Sequence, residues 1–168
     1  ITLNSTYQEM WVGSKYAIIA TVEPIDAVNK NVTYMSSDPD VASVDEYGVV
    51  TALKGGTTII EVITEEAHLI ATCTIVVKEY VSSLELSEHN KFMNVGTSGT
   101  LTVAVGSSTA TNKNVIWSSS DNSICSVDQE GNLIANFPGT AIITATAADG
   151  SGLSDTCIVR VVNPVTGI

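Results

Sequence analysis

Apolar and polar positions alternate with a period of two along most of the chain, the signature of strands with one face buried. In Thr58-Ile59-Ile60-Glu61-Val62 the even positions share one face and Glu61 marks the other. In Cys73-Thr74-Ile75-Val76-Val77 the odd positions share a face. No stretch carries a convincing 3.6-residue period, and turn residues recur at Asp38-Pro39-Asp40, Tyr47-Gly48 and Gly55-Gly56. The pattern predicts an all-β chain of short strands with helix content near zero.

The pattern also repeats. A displacement of 83 residues superimposes Asn29-Lys30-Asn31-Val32 on Asn112-Lys113-Asn114-Val115, Ser36-Ser37-Asp38 on Ser119-Ser120-Asp121, and Ser43-Val44-Asp45 on Ser126-Val127-Asp128. Gly48 then meets Gly131, and Gly56-Thr57 meets Gly139-Thr140. Over residues 29–64, 16 of 36 positions are identical without a gap. The match reaches back to Leu3 with Leu86 and, after a one-residue insertion, forward to Thr72-Cys73 with Thr156-Cys157. Two equivalent units are predicted, copy one at residues 1–79 and copy two at residues 80–163. Val165-Thr166-Gly167-Ile168 falls where Val81-Ser82-Ser83-Leu84 leads into copy two, so residues 164–168 are expected to begin a following unit or a linker. The join Lys78-Glu79-Tyr80-Val81 has no Gly, Pro or Ser run, so strand is expected to pass almost directly into strand and give a stiff, elongated rod.

Each copy checks the faces assigned to the other. Ile18, Ala20 and Val22 correspond to Leu101, Val103 and Val105 and are read as the inward face of a second strand. Val32 and Tyr34 correspond to Val115 and Trp117 on a third strand, and Thr58, Ile60 and Val62 to Ala141, Ile143 and Ala145. Cys73, Ile75 and Val77 correspond to Cys157, Val159 and Val161 in the last strand, whose outward face carries Arg160. Two Ig-like Greek-key β-sandwiches of about seven strands each account for this pattern, each unit large enough to fold on its own aliphatic core.

The ordered motifs Tyr34-Met-Ser-Ser-Asp, Val41-Ala-Ser-Val-Asp, Gly48-Val-Val-Thr-Ala, Gly56-Thr-Thr-Ile-Ile and Ala71-Thr-Cys-Thr-Ile resemble the group 2 bacterial Ig-like domain. Copy two repeats them as Trp117-Ser-Ser-Ser-Asp, Ile124-Cys-Ser-Val-Asp, Gly131-Asn-Leu-Ile-Ala, Gly139-Thr-Ala-Ile-Ile and Asp155-Thr-Cys-Ile-Val. The resemblance covers nearly the whole chain. It implies a module of bacterial and phage surface proteins, such as adhesins, cell-wall-associated glycoside hydrolases and phage tail proteins. Fold resemblance does not choose a role within that range.

Charge narrows the partners. With 7 basic against 18 acidic residues and a net charge of -11, the chain is a poor ligand for nucleic acid or an anionic membrane surface. No run of about 18 apolar residues is present, so no membrane insertion is expected. The first residues, Ile1-Thr2-Leu3, are not a signal segment, and one is expected to have stood earlier in the parent protein.

Candidate chemistry is sparse. His68 and His89 fall at unrelated repeat positions and read as solvated loop residues. No phosphate loop, Cys-x-x-Cys pair or His-Glu-x-x-His helix is present, so no catalytic residue and no cofactor are assigned. Cys73 and Cys157 read as small buried hydrophobes; Cys125, which replaces Ala42, could face the core near Cys157, and a Cys125 to Cys157 bridge is the alternative. Asp38, Asp40, Asp45 and Glu46 could converge at one end of the sandwich beside the next domain, making the three aspartates candidate calcium ligands against a solvated acidic rim. Trp11 aligns with Asn94 and Tyr47 with Glu130, which places both on surface and makes them candidate ligand contacts. Trp11 could equally seal the end of the sandwich or meet a preceding domain.

The expected function is a non-catalytic spacer or adhesion module of an extracellular bacterial protein, cell-surface or secreted and monomeric, whose partners are neighbouring Ig-like domains. The alternatives are a module that binds cell-surface carbohydrate or host protein, and an accessory domain of a surface glycoside hydrolase or phage tail protein.

Overall fold

A computed structural model describes residues 1–164; Val165 to Ile168, where a following unit or linker is expected, lie outside the described residues. The described chain is all β, with no helix. Its contacts divide it between Glu79 and Tyr80 into two units, taken in turn below.

Copy one holds nine strands: β1 (Thr2–Leu3), β2 (Tyr7–Trp11), β3 (Lys15–Ala17), β4 (Ala20–Thr21), β5 (Val32–Ser36), β6 (Ala42–Val44), β7 (Val49–Ala52), β8 (Gly56–Thr64) and β9 (Ile70–Lys78). One sheet has the order β2-β9-β8-β5, with β2 parallel to β9 and the other pairs antiparallel. The facing layer holds β3-β7-β6 and the short pair β1-β4. The connections β4 to β5, β5 to β6 and β7 to β8 cross between the layers, which makes the sandwich a Greek key. Copy two repeats the plan with β10 (Leu84–Leu86), β11 (Asn90–Asn94), β12 (Ser98–Thr100), β13 (Val103–Val105), β14 (Val115–Ser119), β15 (Cys125–Val127), β16 (Asn132–Ala135), β17 (Gly139–Ala147) and β18 (Ser154–Val162).

The inward faces are those the alternation predicts. Thr58, Ile60, Val62, Cys73, Ile75 and Val77 are buried in copy one, as are Ala141, Ile143, Ala145, Cys157, Val159 and Val161 in copy two. Opposite them stand Ala42, Val50 and Ala52, or Cys125, Leu133 and Ala135, from the facing sheet. Each fully buried Ile, Leu or Val contributes about 1.5–3 kcal/mol of transfer free energy, the main force holding the layers together.

The expected second strand is not continuous. Lys15–Ala17 pairs with β7, whereas Ala20–Thr21 pairs with β1. The Asn4 side chain holds the break: its Nδ2 donates to the Ala17 carbonyl at 3.1 Å, and its Oδ1 accepts from the Ile19 N–H at 2.9 Å. Ser87 takes the corresponding place in copy two, accepting from the Thr102 N–H at 3.1 Å. This division and that of the first strand raise about seven strands to nine.

All three cysteines are free and buried, Cys125 and Cys157 in one core cluster from opposite sheets. Burial pushes each thiol above its ordinary range. We predict no reaction with a thiol reagent in the native chain at pH 8 and three reactive thiols in denaturant. A denatured count of one would mean that Cys125 and Cys157 are bridged.

Candidate functional site

The repeated motifs come together at two turns. In copy one, Asp45 Oδ1 accepts from the Tyr47 N–H at 3.0 Å and the Val49 N–H at 2.8 Å, closing the hairpin between β6 and β7. Asp128 does the same in copy two for Glu130 and Asn132. Gly48 and Gly131 follow at φ +81 and +82, where a Cβ would stand 2.5 Å from the Ile18 carbonyl oxygen or 2.4 Å from that of Leu101. Beneath them lie the rings of Tyr34 and Trp117. The Ser-Val-Asp-x-x-Gly motif is thus a turn that seats an aromatic core residue.

The acidic candidates do not converge. Asp38 and Asp40 precede β6 and Asp45 and Glu46 follow it, so the strand separates the two pairs. Asp38 Oδ1 accepts from the Asp40 N–H at 3.2 Å, as Asp45 does in its own turn, so both carboxylates serve local turns. Among the described residues no group of three or more His, Cys, Asp or Glu side chains is placed to hold a metal ion.

Trp11 and Tyr47 are exposed, by 43% and 77%, but lie apart. Trp11 closes β2 beside Lys78, and Ser14 N–H donates to its carbonyl at the Ala52 end of β7. Tyr47 sits beyond the Val49 end of that strand. What accompanies Trp11 is Tyr7, which period two places on the same outer face and which the sequence reading missed. Between them the Glu9 carboxylate bonds to the Lys78 ammonium and accepts from the Tyr7 hydroxyl at 3.0 Å. The Lys78 bond does most to hold the Glu9 carboxyl below its ordinary range, and the Glu9 bond raises the Tyr7 hydroxyl and Lys78. Copy two has Asn90, Phe92 and Asn94 there, with the Arg160 guanidinium 5.6 Å from the Phe92 ring centre.

His89 is not a bare loop residue. Its Nε2 lies 2.9 Å from Asp155 Oδ2, which also accepts from the Leu86 N–H at 2.8 Å and so ties β10 to β18. The Leu86 bond is the strongest influence holding the Asp155 carboxyl below the ordinary range, against partial burial, with Thr156 N–H and His89 adding to it. A depressed carboxylate stabilises the fold at pH values above its unfolded value of about 3.9, and that contribution disappears as pH falls through the folded value. Asp155→Asn is therefore predicted to cost about 1–3 kcal/mol at pH 7 and to weaken the acid dependence of copy two below about pH 4, read by urea unfolding at each pH. His68 lies in the turn between β8 and β9 at φ 52.

Gln129 has a role the sequence did not suggest. Its side-chain amide accepts from the Trp117 N–H and donates to the Trp117 carbonyl, both at 3.2 Å, pairing with the outer edge of β14 as a neighbouring strand would. Next to it a cleft of about 520 Å³ opens between β13 and β14, lined by Val103, Val105, Lys113, Val115, Trp117 and Gln129 among others. No histidine or cysteine lines it.

The family model for the bacterial Ig-like domain (group 2) matches residues 1–75 and again residues 80–157. The chain belongs to this family. An uncharacterized protein of Clostridium acetobutylicum is 37% identical to the Ig-like pair over 164 residues, which are 97% of this chain but 17% of that protein. An Ig-like virion protein of Serratia phage KSP90 is 34% identical over 158 residues, 89% of this chain and 60% of the phage protein. The Ig-like pair thus spans less than two thirds of either relative. Of solved structures, the first two extracellular domains of a human mucin-like protocadherin align with a TM-score of 0.56 at 10% identity, over 97% of this chain and 98% of that one, a likeness of fold alone. Among the described residues no helix is long and apolar enough to cross a membrane.

Proposed function

We propose that this pair of bacterial Ig-like domains is a non-catalytic spacer and adhesion unit of a larger bacterial protein, exposed at the cell surface or secreted. The observation that carries the reading is that the turn residues common to both copies are spent on folding. Asp45 and Asp128 close hairpins, Gly48 and Gly131 admit a close backbone approach, and Gly56 and Gly139 leave room for Val41 and Ile124. The core differences mostly exchange one apolar side chain for another, as Ile18 for Leu101 and Val50 for Leu133, while Trp11, Glu46 and Tyr47 differ from their counterparts on the surface. A spacer role rests further on the Gly- and Pro-free join at residues 78–81. Small-angle scattering of the whole chain tests it: a maximum dimension near twice that of one Ig-like domain is expected, and a compact particle would overturn it.

A second reading, carbohydrate or protein recognition by copy one, is favoured by Tyr7 and Trp11 flanking the Glu9 and Lys78 pair on one sheet face. Binding on a glycan array that is lost in Tyr7→Ala and Trp11→Ala would support it; no binding above background would remove it.

A further inference from the structure

We infer that the outer edge of β5 in copy one receives an extended, positively charged peptide segment of another protein, which adds to the sheet as a fifth strand. This goes beyond a spacer role.

β5 ends its sheet and pairs with β8 alone. The bonds from Ser37 N–H to the Ile59 carbonyl and from Glu65 N–H to the Asn31 carbonyl fix the alternation. Odd-numbered residues turn their main chain towards β8, so Val32, Tyr34 and Ser36 turn theirs away. Three N–H and C=O pairs spaced about 6.6–6.8 Å apart form a template for a further strand.

Copy two closes the same edge. Trp117 is the repeat counterpart of Tyr34, and the Gln129 amide satisfies both its N–H and its carbonyl. Position 129 corresponds to Glu46 in copy one. A carboxylate has no N–H and cannot donate to the Tyr34 carbonyl. Among the described residues no side chain bonds to the Tyr34 main chain, while its hydroxyl reaches the Ile18 carbonyl at 3.4 Å. One atom type, amide nitrogen against carboxylate oxygen, separates a capped edge from an open one.

Charge selects the occupant. Glu46 stands in the turn seated on Tyr34, Glu61 faces Met35 across the β5 and β8 pair, and Glu65 accepts from the Asn29 and Asn31 amides just before β5. Lys30, the cation leading into β5, is bonded to the Ile25 carbonyl. A second copy of β5 would bring the same carboxylates together, in a chain of net charge -11. A partner strand bearing Lys or Arg meets them favourably. Tyr47, in the same turn as Glu46, adds an exposed aromatic surface.

The test uses the whole chain and fluorescent ten-residue Thr/Val peptides carrying two lysines, two glutamates or no charge. The lysine peptide is expected to bind at least ten-fold more tightly than the glutamate peptide at low salt, and to slow hydrogen exchange of the Tyr34 amide. Glu46→Gln should cap the edge, weaken the lysine and uncharged peptides at least ten-fold, and protect the Tyr34 amide without any peptide. Glu46→Ala separates edge from charge: it should leave uncharged-peptide binding intact. Gln129→Glu should open copy two and raise the stoichiometry from one peptide to two. Unfolding curves show that each variant is folded. Equal binding of the three peptides, no binding by any of them, unchanged binding in Glu46→Gln, or concentration-dependent protection of Tyr34 by self-association would each overturn the proposal.

Discussion

Gly131→Ala is expected to destabilise copy two by about 3–4 kcal/mol. A φ of +82 costs an L side chain roughly 1–2 kcal/mol by itself. The new Cβ would also stand 2.4 Å from the Leu101 carbonyl oxygen and 3.0 Å from Trp117 Cζ2, in a backbone approach held by the Leu101 N–H bond to the Gly131 carbonyl. Neither neighbour is the free end of a flexible chain, so the strand or the turn must move. For a domain of this size the loss corresponds to a fall in melting temperature of about 12–32 °C, measurable by calorimetry.

Trp117→Ala is expected to cost about 3–5 kcal/mol, the usual range for deleting a buried aromatic residue. The residue is 6% exposed and packs in the cluster that includes Leu101, Leu133 and Cys125. Because the Trp117 ring lies against position 131, the two substitutions are coupled: the double variant should lose less than the sum of the single losses, since removing the ring relieves one of the two clashes. Calorimetry reads the loss, because Trp117→Ala removes the tryptophan of copy two and leaves only Trp11, in copy one.

The sequence was most legible where strands are long and the copies agree. β8, β9, β17 and β18 each run nine residues, enough for period two to assign both faces. It was least legible where polar side chains act on the backbone. The second strand changes partners between Ala17 and Ala20, yet Ala17, Ile18, Ile19 and Ala20 are all apolar, so hydrophobicity alone does not tell the buried Ile18 from the exposed Ile19 or mark the break. Asn4, which holds that break, looks like any surface polar residue. The aspartates fall in loops that the pattern allows to converge at one end of the sandwich, but β6 stands between the two pairs and each of Asp38 and Asp45 closes its own turn.

The candidate site was legible in half. Comparison of the copies singled out Trp11 and Tyr47 as surface residues, and both are exposed. Applying period two backwards from Trp11 would have added Tyr7 and Glu9. The difference between Glu46 and Gln129 was also in the sequence, but a carboxylate to amide change at a turn carries no signal until the geometry brings it to the edge of β14.

The most direct test of the claim that the shared turn motifs build the fold, while the copy-specific surface residues beside them do not, compares two neighbours in one turn. Gly48 belongs to the repeat and Tyr47 does not. Thermal unfolding of copy one should fall by on the order of 10 °C in Gly48→Ala and stay within about 2 °C of wild type in Tyr47→Ala. A loss in Tyr47→Ala as large as that in Gly48→Ala would contradict the account.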